Sequence, residues 1–420
     1  MFDRDRWQEI YVTLSSNKLR TFLTAFGVFW GIFMLVVMLG SGNGLRNGVN
    51  KDFANMATNS FFTWTQRTSM PYKGFKRGRR FNYNNADVVA LKEKVTDAAI
   101  IAPRNQLGNY GGANNVHYGL KTGSFSVYGD YPEIFQIQNF QVNEGRLLNQ
   151  FDQIQKRKIA VIGTHVKDIL FKKDENPLGK YIEISGVFFQ VVGVFNTPRS
   201  GDRAEEDVSS IFVPFSTFQS AFNYGDVVGW FAITAKPGVP VSQVENSVLS
   251  LLRERHSIHP DDQQATGHWN MEEEFNKMNG LFNGIDLLIW VVGIGTLLAG
   301  VIGVSNIMLI IIKERTMEIG IRRAIGAPPV DIARQIILES VVLTAIAGYI
   351  GLVIGVGIME AVAAAVGSSP DGGGMFTNPT IDLPVALKAL VLLTLSGALA
   401  GLIPASRALK IKPIEALRSE

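Results

Sequence analysis

The sequence of 420 residues contains no cysteine. It therefore predicts no disulfide bond, no thiolate metal site and no lipid-modified cysteine, and it leaves the redox state of the compartment open. A strong charge of either sign is also missing, because 40 Lys and Arg residues nearly balance 37 Asp and Glu residues. The net charge of +3 gives no reason to expect binding to nucleic acid.

A nucleotide-binding motif is absent too. No Gly-x-x-x-x-Gly-Lys-Ser/Thr occurs, and the nearest approach, at Gly179 and Lys180, lacks the first glycine and the hydroxyl residue. The three glycines at 372–374 predict an external turn, since no strand precedes them and no lysine follows. We therefore expect no ATP site, no other cofactor and no enzymatic activity on this chain.

One group of residues resembles a metal site: His256, His259 and His268 with Asp261 and Asp262. The group has neither the two-histidine helical spacing of a zinc hydrolase nor thiolates, and no Gly-x-Ser-x-Gly elbow accompanies it. We interpret it as a surface loop and expect no metal. The alternative, an integral membrane hydrolase, predicts zinc in the purified protein.

Long apolar runs are what the sequence has in abundance. Hydrophobic residues make up 46% of the chain and charged residues 18%. A helix needs about 20 apolar residues to span a bilayer, which predicts four transmembrane helices near 20–41, 284–312, 335–366 and 384–404. The first run has no small-residue cleavage site after it, so we expect an uncleaved anchor.

Basic residues indicate the orientation of these spans. Lys and Arg precede the first run, follow the second and follow the fourth, whereas the loop between the third and fourth has none. By the positive-inside rule both termini are cytoplasmic. The predicted divisions are an interfacial elbow helix (1–19), spans (20–42, 281–312, 335–366, 384–404), an external domain with stalk helices (43–280), a cytoplasmic loop (313–334), an external loop (367–383) and a cytoplasmic tail (405–420).

Small residues four apart recur in every predicted span, and this spacing lets helices approach closely. The sets are Gly27 and Gly31; Gly295, Ala299 and Gly303; Gly351 and Gly355; Gly397 and Gly401. They predict a tight bundle and a dimer, either a homodimer or a pairing with a related second chain. Two acids in the third run, Glu339 and Glu360, lie toward its ends, and we expect them at the membrane interface.

The polar stretch between the first and second spans predicts an α+β domain. Helices are expected at 43–56, 86–94 and 271–284, and strands at FFTWT, KIAVIG, YIEIS and FFQVVGVF. The region of Gln219 and residues 241–256 are expected to form helices or turns, and the Gly- and Asn-rich stretch 107–115 predicts loops.

The charged insert Lys313–Arg334 separates the second and third apolar runs. Glu318 and Arg322 form an i,i+4 pair in the favourable order, Gly326 suits the residue that closes a helix, and the two prolines after Ala327 can open another. The insert therefore predicts a helix, a turn and a second helix. Its isoleucines among charges indicate a docking surface, whereas a solvated topological turn is the simpler alternative.

The segment ERTMEIGIRRAIGA within this insert resembles the loop of FtsX/MacB-like permeases, the membrane subunits of one class of ABC transporter. Further segments in the same order resemble the same family: NKLRTFLTAFGVFWGIFML, NEGRLLN, RKIAVIGTHVKDILF, NPLGKYIEISGVFFQVVGVF, IFVPFSTF and IPASRALKIKPIEALRSE. Pro328 and Pro329 depart from the family pattern, which leaves the shape of the turn open.

The resemblance implies a membrane α-helical fold with an inserted α+β extracytoplasmic domain. It also implies efflux by mechanotransmission across an inner membrane, as a dimer with a separate ATPase that binds ATP-Mg, a periplasmic adaptor and an outer-membrane channel. The residues implied in coupling are Glu314, Arg315, Glu318, Ile319, Gly320, Arg322, Arg323, Gly326 and Ala327. We expect Ile319 to fill a groove on the ATPase, so that Ile319→Asp uncouples a folded protein. A LolC/LolE-like lipoprotein-releasing permease and an FtsX-like signal coupler are the alternatives.

Overall fold

A computed structural model describes residues 18–54, 57–108, 112–199, 201–368, 376–380 and 383–410. The predicted elbow helix, the glycines at 372–374 and the tail beyond residue 410 lie outside these ranges. The chain divides into a helical unit (Met1–Gly48 and Gly280–Glu420) and an α+β unit (Val49–Asn279).

The helices, in chain order, are α1 (Lys18–Ala54), α2 (Asn85–Lys94), α3 (Ile134–Ile137), α4 (Gln150–Ile154), α5 (Thr164–Leu170), α6 (Asp202–Val208), α7 (Phe215–Ala221), α8 (Val241–Arg255), α9 (Met271–Glu314), α10 (Thr316–Ala324), α11 (Pro329–Gly367) and α12 (Leu383–Ala408). The strands are β1 (Ser60–Thr65), β2 (Tyr83–Asn84), β3 (Ala98–Gln106), β4 (Asn114–Tyr118), β5 (Lys121–Asp130), β6 (Gln141–Gly145), β7 (Ile159–Gly163), β8 (Tyr181–Ile184), β9 (Val187–Asn196), β10 (Ser210–Pro214), β11 (Val227–Val228), β12 (Trp230–Ala235) and β13 (Thr266–Asn270).

Four of these helices, α1, α9, α11 and α12, are long and apolar enough to cross a membrane. They contain the four predicted apolar runs, so the predicted class of fold is confirmed. Three of them, α1, α9 and α11, are longer than a bilayer requires, with 37, 44 and 39 residues. Two of the three extend where the stalk helices were predicted, since α1 continues to Ala54 and α9 begins at Met271.

Glycine contacts hold the helical unit together. A Cβ atom placed on Gly27 would lie 3.5 Å from the Cα of Gly300, so α1 and α9 touch through their backbones. On α11, a Cβ at Gly351 would lie 2.6 Å from the backbone oxygen of Phe29 on α1. A Cβ at Gly397 of α12 would lie 2.1 Å from Oγ1 of Thr344 on α11.

Some of the predicted glycine sets lie at helix contacts inside the unit, and one set does not. Gly31, Gly355 and Gly401 also lie at close approaches inside the unit. The set on α9 does not, because a Cβ at Gly295 or Gly303 would meet nothing within 4 Å and Ala299 is exposed. The intrachain contact uses Gly293 and Gly300, on a neighbouring face of the same helix.

An antiparallel sheet of β3, β12, β1 and β13 forms one part of the α+β unit. Successive side chains of a strand point to opposite faces. Phe61 and Phe231 therefore join the core beneath α2 and α8, whereas Phe62 and Ala232 pack on the other face, with α3.

The second part of this unit is a closed sheet. Its strands pair in the circular order β4, β5, β10, β7, β9, β8 and back to β4, with β6 added outside β9. Closure removes strand edges, and the interior is filled by side chains such as Phe125, Phe189 and Ile211.

A buried ion pair joins the two parts where β3 meets β5. Arg104 donates from Nε to Oδ1 of Asp130 at 2.6 Å and from Nη2 to Oδ2 at 3.0 Å. The guanidinium also lies 4.8 Å from the ring centroid of Tyr128 and 5.4 Å from that of Trp230. Two-point hydrogen bonding and flanking aromatic rings fix the geometry of this junction.

Candidate functional site

The charged insert folds as the short helix α10 between α9 and α11. Its end has both hydrogen bonds of a Schellman motif, from Ala327 N–H to the carbonyl of Arg322 at 3.0 Å and from Gly326 N–H to that of Arg323 at 3.2 Å. Gly326 has φ of +106°, a region that disfavours side chains. Pro328 is extended, and Pro329 begins the next helix. The predicted sequence of helix, turn and helix is therefore confirmed.

One face of α10 packs inside the helical unit. Ile319 is only 7% exposed and contacts a cluster that includes Ile312, Ile332, Ile336 and Ala405, and Gly320 is buried beside it. The prediction that Ile319 fills a groove on a partner is therefore wrong. Its side chain belongs to the core because α11 and the end of α12 cover it.

Polar side chains surround this apolar contact. Glu318 accepts from Nη2 of Arg322 at 2.8 Å, which is the predicted i,i+4 pair. Arg322 also donates to Oε1 of Gln335 at 3.4 Å, and Nη1 of Arg315 lies 3.4 Å from Oε1 of Glu339. These contacts link α10 to α11.

The same contacts give Glu339 a definite environment. It is 3% exposed and paired with Arg315, so its side chain is buried inside the helical unit; its placement at a membrane interface stays a prediction. Glu360, in contrast, is exposed. Glu339 therefore acts as an internal anchor for the segment that leads into α10.

The other face of α10 and the turn after it are apolar and exposed. The exposed fractions are 60% for Met317, 41% for Ile321, 82% for Ile325 and 71% for Val330. Of these, only Ile321 and Ile325 were singled out from the sequence. Met317 and Val330 were missed, although Met317 lies one helical turn before Ile321 and Val330 follows Ile325 by five residues.

The remaining charged residues of the insert border this surface. Glu314 is exposed and lies at the end of α9, and Arg323 donates from Nη1 to the backbone oxygen of Leu409 at 3.2 Å. The surface made by Met317, Ile321, Ile325 and Val330, with Glu314, Glu318, Arg322 and Arg323 beside it, is the docking face. Its mixture of apolar and charged side chains fits a protein–protein contact.

The histidine group does not gather into one site. Nε2 of His256 lies 2.7 Å from Oδ2 of Asp87, His268 lies 3.3 Å from Glu245, and His259 packs on the ring of Tyr72. Among the described residues, no group of three or more His, Cys, Asp or Glu side chains is placed to hold a metal ion.

Asp87 is instead a structural carboxylate. It accepts from Nε of Arg255 at 2.7 Å and from the N–H of Asn84 at 2.9 Å, in addition to its contact with His256. Burial by itself raises the pKa of Asp87, but the hydrogen bonds from His256 and Arg255 outweigh it and hold that pKa below its ordinary value. The ionised carboxylate thus fastens α2 to the end of α8.

Gly179 and Lys180 form a turn that leads into β8 rather than into a helix. A phosphate loop requires a helix N-terminus after the glycines, so this turn has the wrong architecture for binding nucleotide phosphates.

Both units of the chain are similar to domains of known proteins. Residues 21–251 match the MacB-like periplasmic core domain, and residues 290–413 match the FtsX-like permease C-terminal domain. The macrolide export ATP-binding/permease protein MacB of Bdellovibrio bacteriovorus is 29% identical over 98% of this chain and 61% of its own. The pyoverdine export ATP-binding/permease protein PvdT of Pseudomonas entomophila is 30% identical over 99% of this chain and 59% of its own. The chain thus spans only 59–61% of the length of these relatives.

Solved structures are similar to the α+β unit. The periplasmic region of MacB from Actinobacillus actinomycetemcomitans has a TM-score of 0.43 and 19% identity, and the match covers 54% of this chain and 96% of that one. The extracellular domain of the ABC-type transporter YknZ has a TM-score of 0.41 and 17% identity, covering 50% and 100%.

The two units define an ABC transporter permease with four apolar helices and an inserted α+β domain. The chain belongs to the family of FtsX-like permeases that carry a MacB-like periplasmic core domain, as its resemblance predicted.

Proposed function

We propose that this chain couples ATP hydrolysis on a separate ATPase subunit to conformational change in its external domain, and so exports a substrate by mechanotransmission. The ATPase docks on the docking face and binds ATP-Mg. The chain works in the inner membrane with both termini cytoplasmic, as a dimer with itself or with a related permease.

The observation that carries this proposal is the exposed apolar surface of the docking face. Ile325 is 82% exposed although it lies in the charged insert Lys313–Arg334, where lipid would not cover it. An uncovered apolar surface bordered by charges is typical of a protein interface.

Two features support transmission from this face. α9 is one helix of 44 residues from Met271 to Glu314, directly before α10, and a continuous helix moves as a stiff element. α1 is fastened to it at the Gly27–Gly300 contact and by an ion pair of 2.7 Å between Arg46 and Asp286. A displacement of α10 would therefore move α9 and α1 together.

The test is affinity purification of the full chain from its native membrane after mild crosslinking. We compare the native chain with Ile325→Asp and with Ile154→Asp, the same change at a position that is 74% exposed in the α+β unit. We expect a small soluble ATPase with the native chain and with Ile154→Asp, and its loss with Ile325→Asp. Recovery of the ATPase with all three proteins, or with none, would refute docking at this face.

The proteins recovered beside the ATPase decide between the branches of the proposal. A periplasmic adaptor or an outer-membrane channel supports efflux, whereas a bound lipoprotein supports lipoprotein release. An envelope enzyme whose activity follows ATP hydrolysis, with no substrate moved, supports a signal coupler.

A further inference from the structure

A strongly basic segment of the α+β unit has no role in the proposed function. Residues 67–80 contain six basic residues and no acidic one. Five of them, Arg67, Lys73, Lys76, Arg77 and Arg80, are exposed and form no ion pair with any residue that the structure describes. Like charges at this density repel one another, so their concentration on one segment calls for an opposite charge from elsewhere.

The segment is an ordered hairpin rather than a loose loop. Tyr72 and Phe75 exchange both backbone hydrogen bonds, at 3.1 and 2.9 Å, around a tight turn in which Lys73 has φ of +47° and Gly74 has φ of +86°. Farther from the tip, Thr68 N–H donates to the carbonyl of Arg79 at 3.1 Å. We call residues 66–81 the basic hairpin.

Buried groups hold the base of the basic hairpin. Oδ2 of Asp262 accepts from the N–H groups of Ser69 at 2.8 Å and Met70 at 3.0 Å, and its Oδ1 accepts from the hydroxyl of Ser69 at 2.7 Å. The sixth basic residue, Arg79, donates to the backbone oxygens of His256 and Ser257. Arg79 is therefore used internally, and the five exposed cations are held on a fixed support.

The basic hairpin and the chain connections of the α+β unit lie at opposite ends of the same strand pair. β1 and β13 pair from Phe61 with Asn270 to Thr65 with Thr266. The first of these pairs is next to the residues that connect the strands in sequence to α1 and α9, and the last is next to the hairpin. Six residues of strand extend about 17 Å at 3.3 Å per residue. The cations thus follow the end of β1 and β13 that is opposite to the chain connections.

We propose that the basic hairpin docks an acidic segment of a soluble extracytoplasmic polypeptide. Charge complementarity supplies steering, and the fixed hairpin reduces the ordering cost of binding. Met70 and Phe75, 40% and 47% exposed, supply apolar contact beside the charges, and methionine, aromatic residues and arginine are enriched at protein interfaces. The proposal requires neither the ATPase nor a transported substrate.

The test measures binding of a fluorescein-labelled peptide of glutamates to the full chain in zwitterionic nanodiscs, by fluorescence anisotropy. One variant changes Lys73, Lys76, Arg77 and Arg80 to Gln. Its matched control changes four exposed lysines of the closed-sheet part to Gln: Lys156, Lys158, Lys172 and Lys173. We expect at least a tenfold loss of affinity in the hairpin variant, less than twofold in the control, and weaker binding of the native chain at higher salt.

A third variant, Asp262→Asn, keeps every basic residue but loosens the base of the hairpin, and we expect a severalfold loss of affinity. Equal losses of peptide affinity in the two four-residue variants would refute the proposal, because the total positive charge of the protein would then be sufficient to explain binding. If the Asp262→Asn variant binds the peptide with the native affinity, the ordered structure of the hairpin has no role in binding. Binding to phosphatidylglycerol vesicles without binding to the peptide would overturn the proposal in favour of a lipid ligand.

Discussion

Replacing Gly351 by alanine tests the packing of α11 on α1 with a matched control on the same helix. A Cβ atom at Gly351 would lie 2.6 Å from the backbone oxygen of Phe29, whereas one at Gly357 would meet nothing within 4 Å. The two substitutions are chemically identical, and both act in the middle of α11. Only the first requires a neighbouring helix to move.

The magnitudes follow from these distances. A backbone oxygen cannot rotate away as a side chain can, so α1 must move back, and overpacking of this kind costs about 1–3 kcal/mol. At an open helical position, Gly→Ala is instead favourable by up to about 1 kcal/mol because it restricts the unfolded chain. We expect Gly351→Ala to lower the free energy of unfolding and Gly357→Ala to leave it unchanged or raise it slightly.

The assay is reversible unfolding of the full chain in mixed micelles by sodium dodecyl sulfate, followed by tryptophan fluorescence. Trp30, on the α1 face turned away from the core at 45% exposure, reports on separation of this helix. Equal unfolding free energies for the two variants would refute the inference that α1 and α11 are in backbone contact at Gly351.

Three further predictions concern buried groups. Ile319→Asp should destabilise the helical unit by about 2–5 kcal/mol, as core truncations do, and reduce the yield of folded protein in size-exclusion chromatography; a native yield would mean that Ile319 is not in the core. Arg104→Ala leaves Asp130 buried without its partner and should cost about 3–5 kcal/mol, measured by urea unfolding followed by circular dichroism; a cost below about 1 kcal/mol would contradict the pairing. The lowered pKa of Asp87 stabilises the fold above the ordinary pKa near 4, and this stability is lost as the pH falls through the folded-state pKa. Asp87→Asn should therefore be less stable than the native chain at pH 7, and the difference should shrink as the pH falls through the folded-state pKa of Asp87, which lies below the ordinary value; a difference that does not change with pH would exclude this linkage.

Local signals in the sequence were sufficient for the four long apolar helices and for α10, but not for the short helices α3 to α6 of the α+β unit. The end of α10 depends on Gly326 and the prolines that follow it, and these act through backbone geometry within a few residues. The extension of α9 to Met271 was also predictable, because its helical pattern continues without a break into the apolar run.

Features that depend on distant parts of the chain were not predictable in the same way. Ile319 lies on α10 and Ile325 directly follows the last residue of that helix, and only the positions of α11 and α12 decide that the first is buried and the second exposed. Likewise Gly293 and Gly295 are two residues apart on α9, and only the position of α1 decides that Gly293 contacts it and Gly295 does not. The circular pairing of the closed sheet could not be predicted either, since strand register is a nonlocal property.

The pairing of Phe61 with Asn270 has a consequence for how the α+β unit is joined to the chain. Paired residues of neighbouring antiparallel strands lie about 5 Å apart. The segment between Phe61 and Asn270, which is more than two hundred residues long, therefore begins and ends at neighbouring positions. The segment is thus an exchangeable module. A two-residue turn or an unrelated domain with neighbouring ends could replace it and still connect α1 to α9. Recombination at these two points would give permeases that share one set of apolar helices and differ in the domain inserted between the first two.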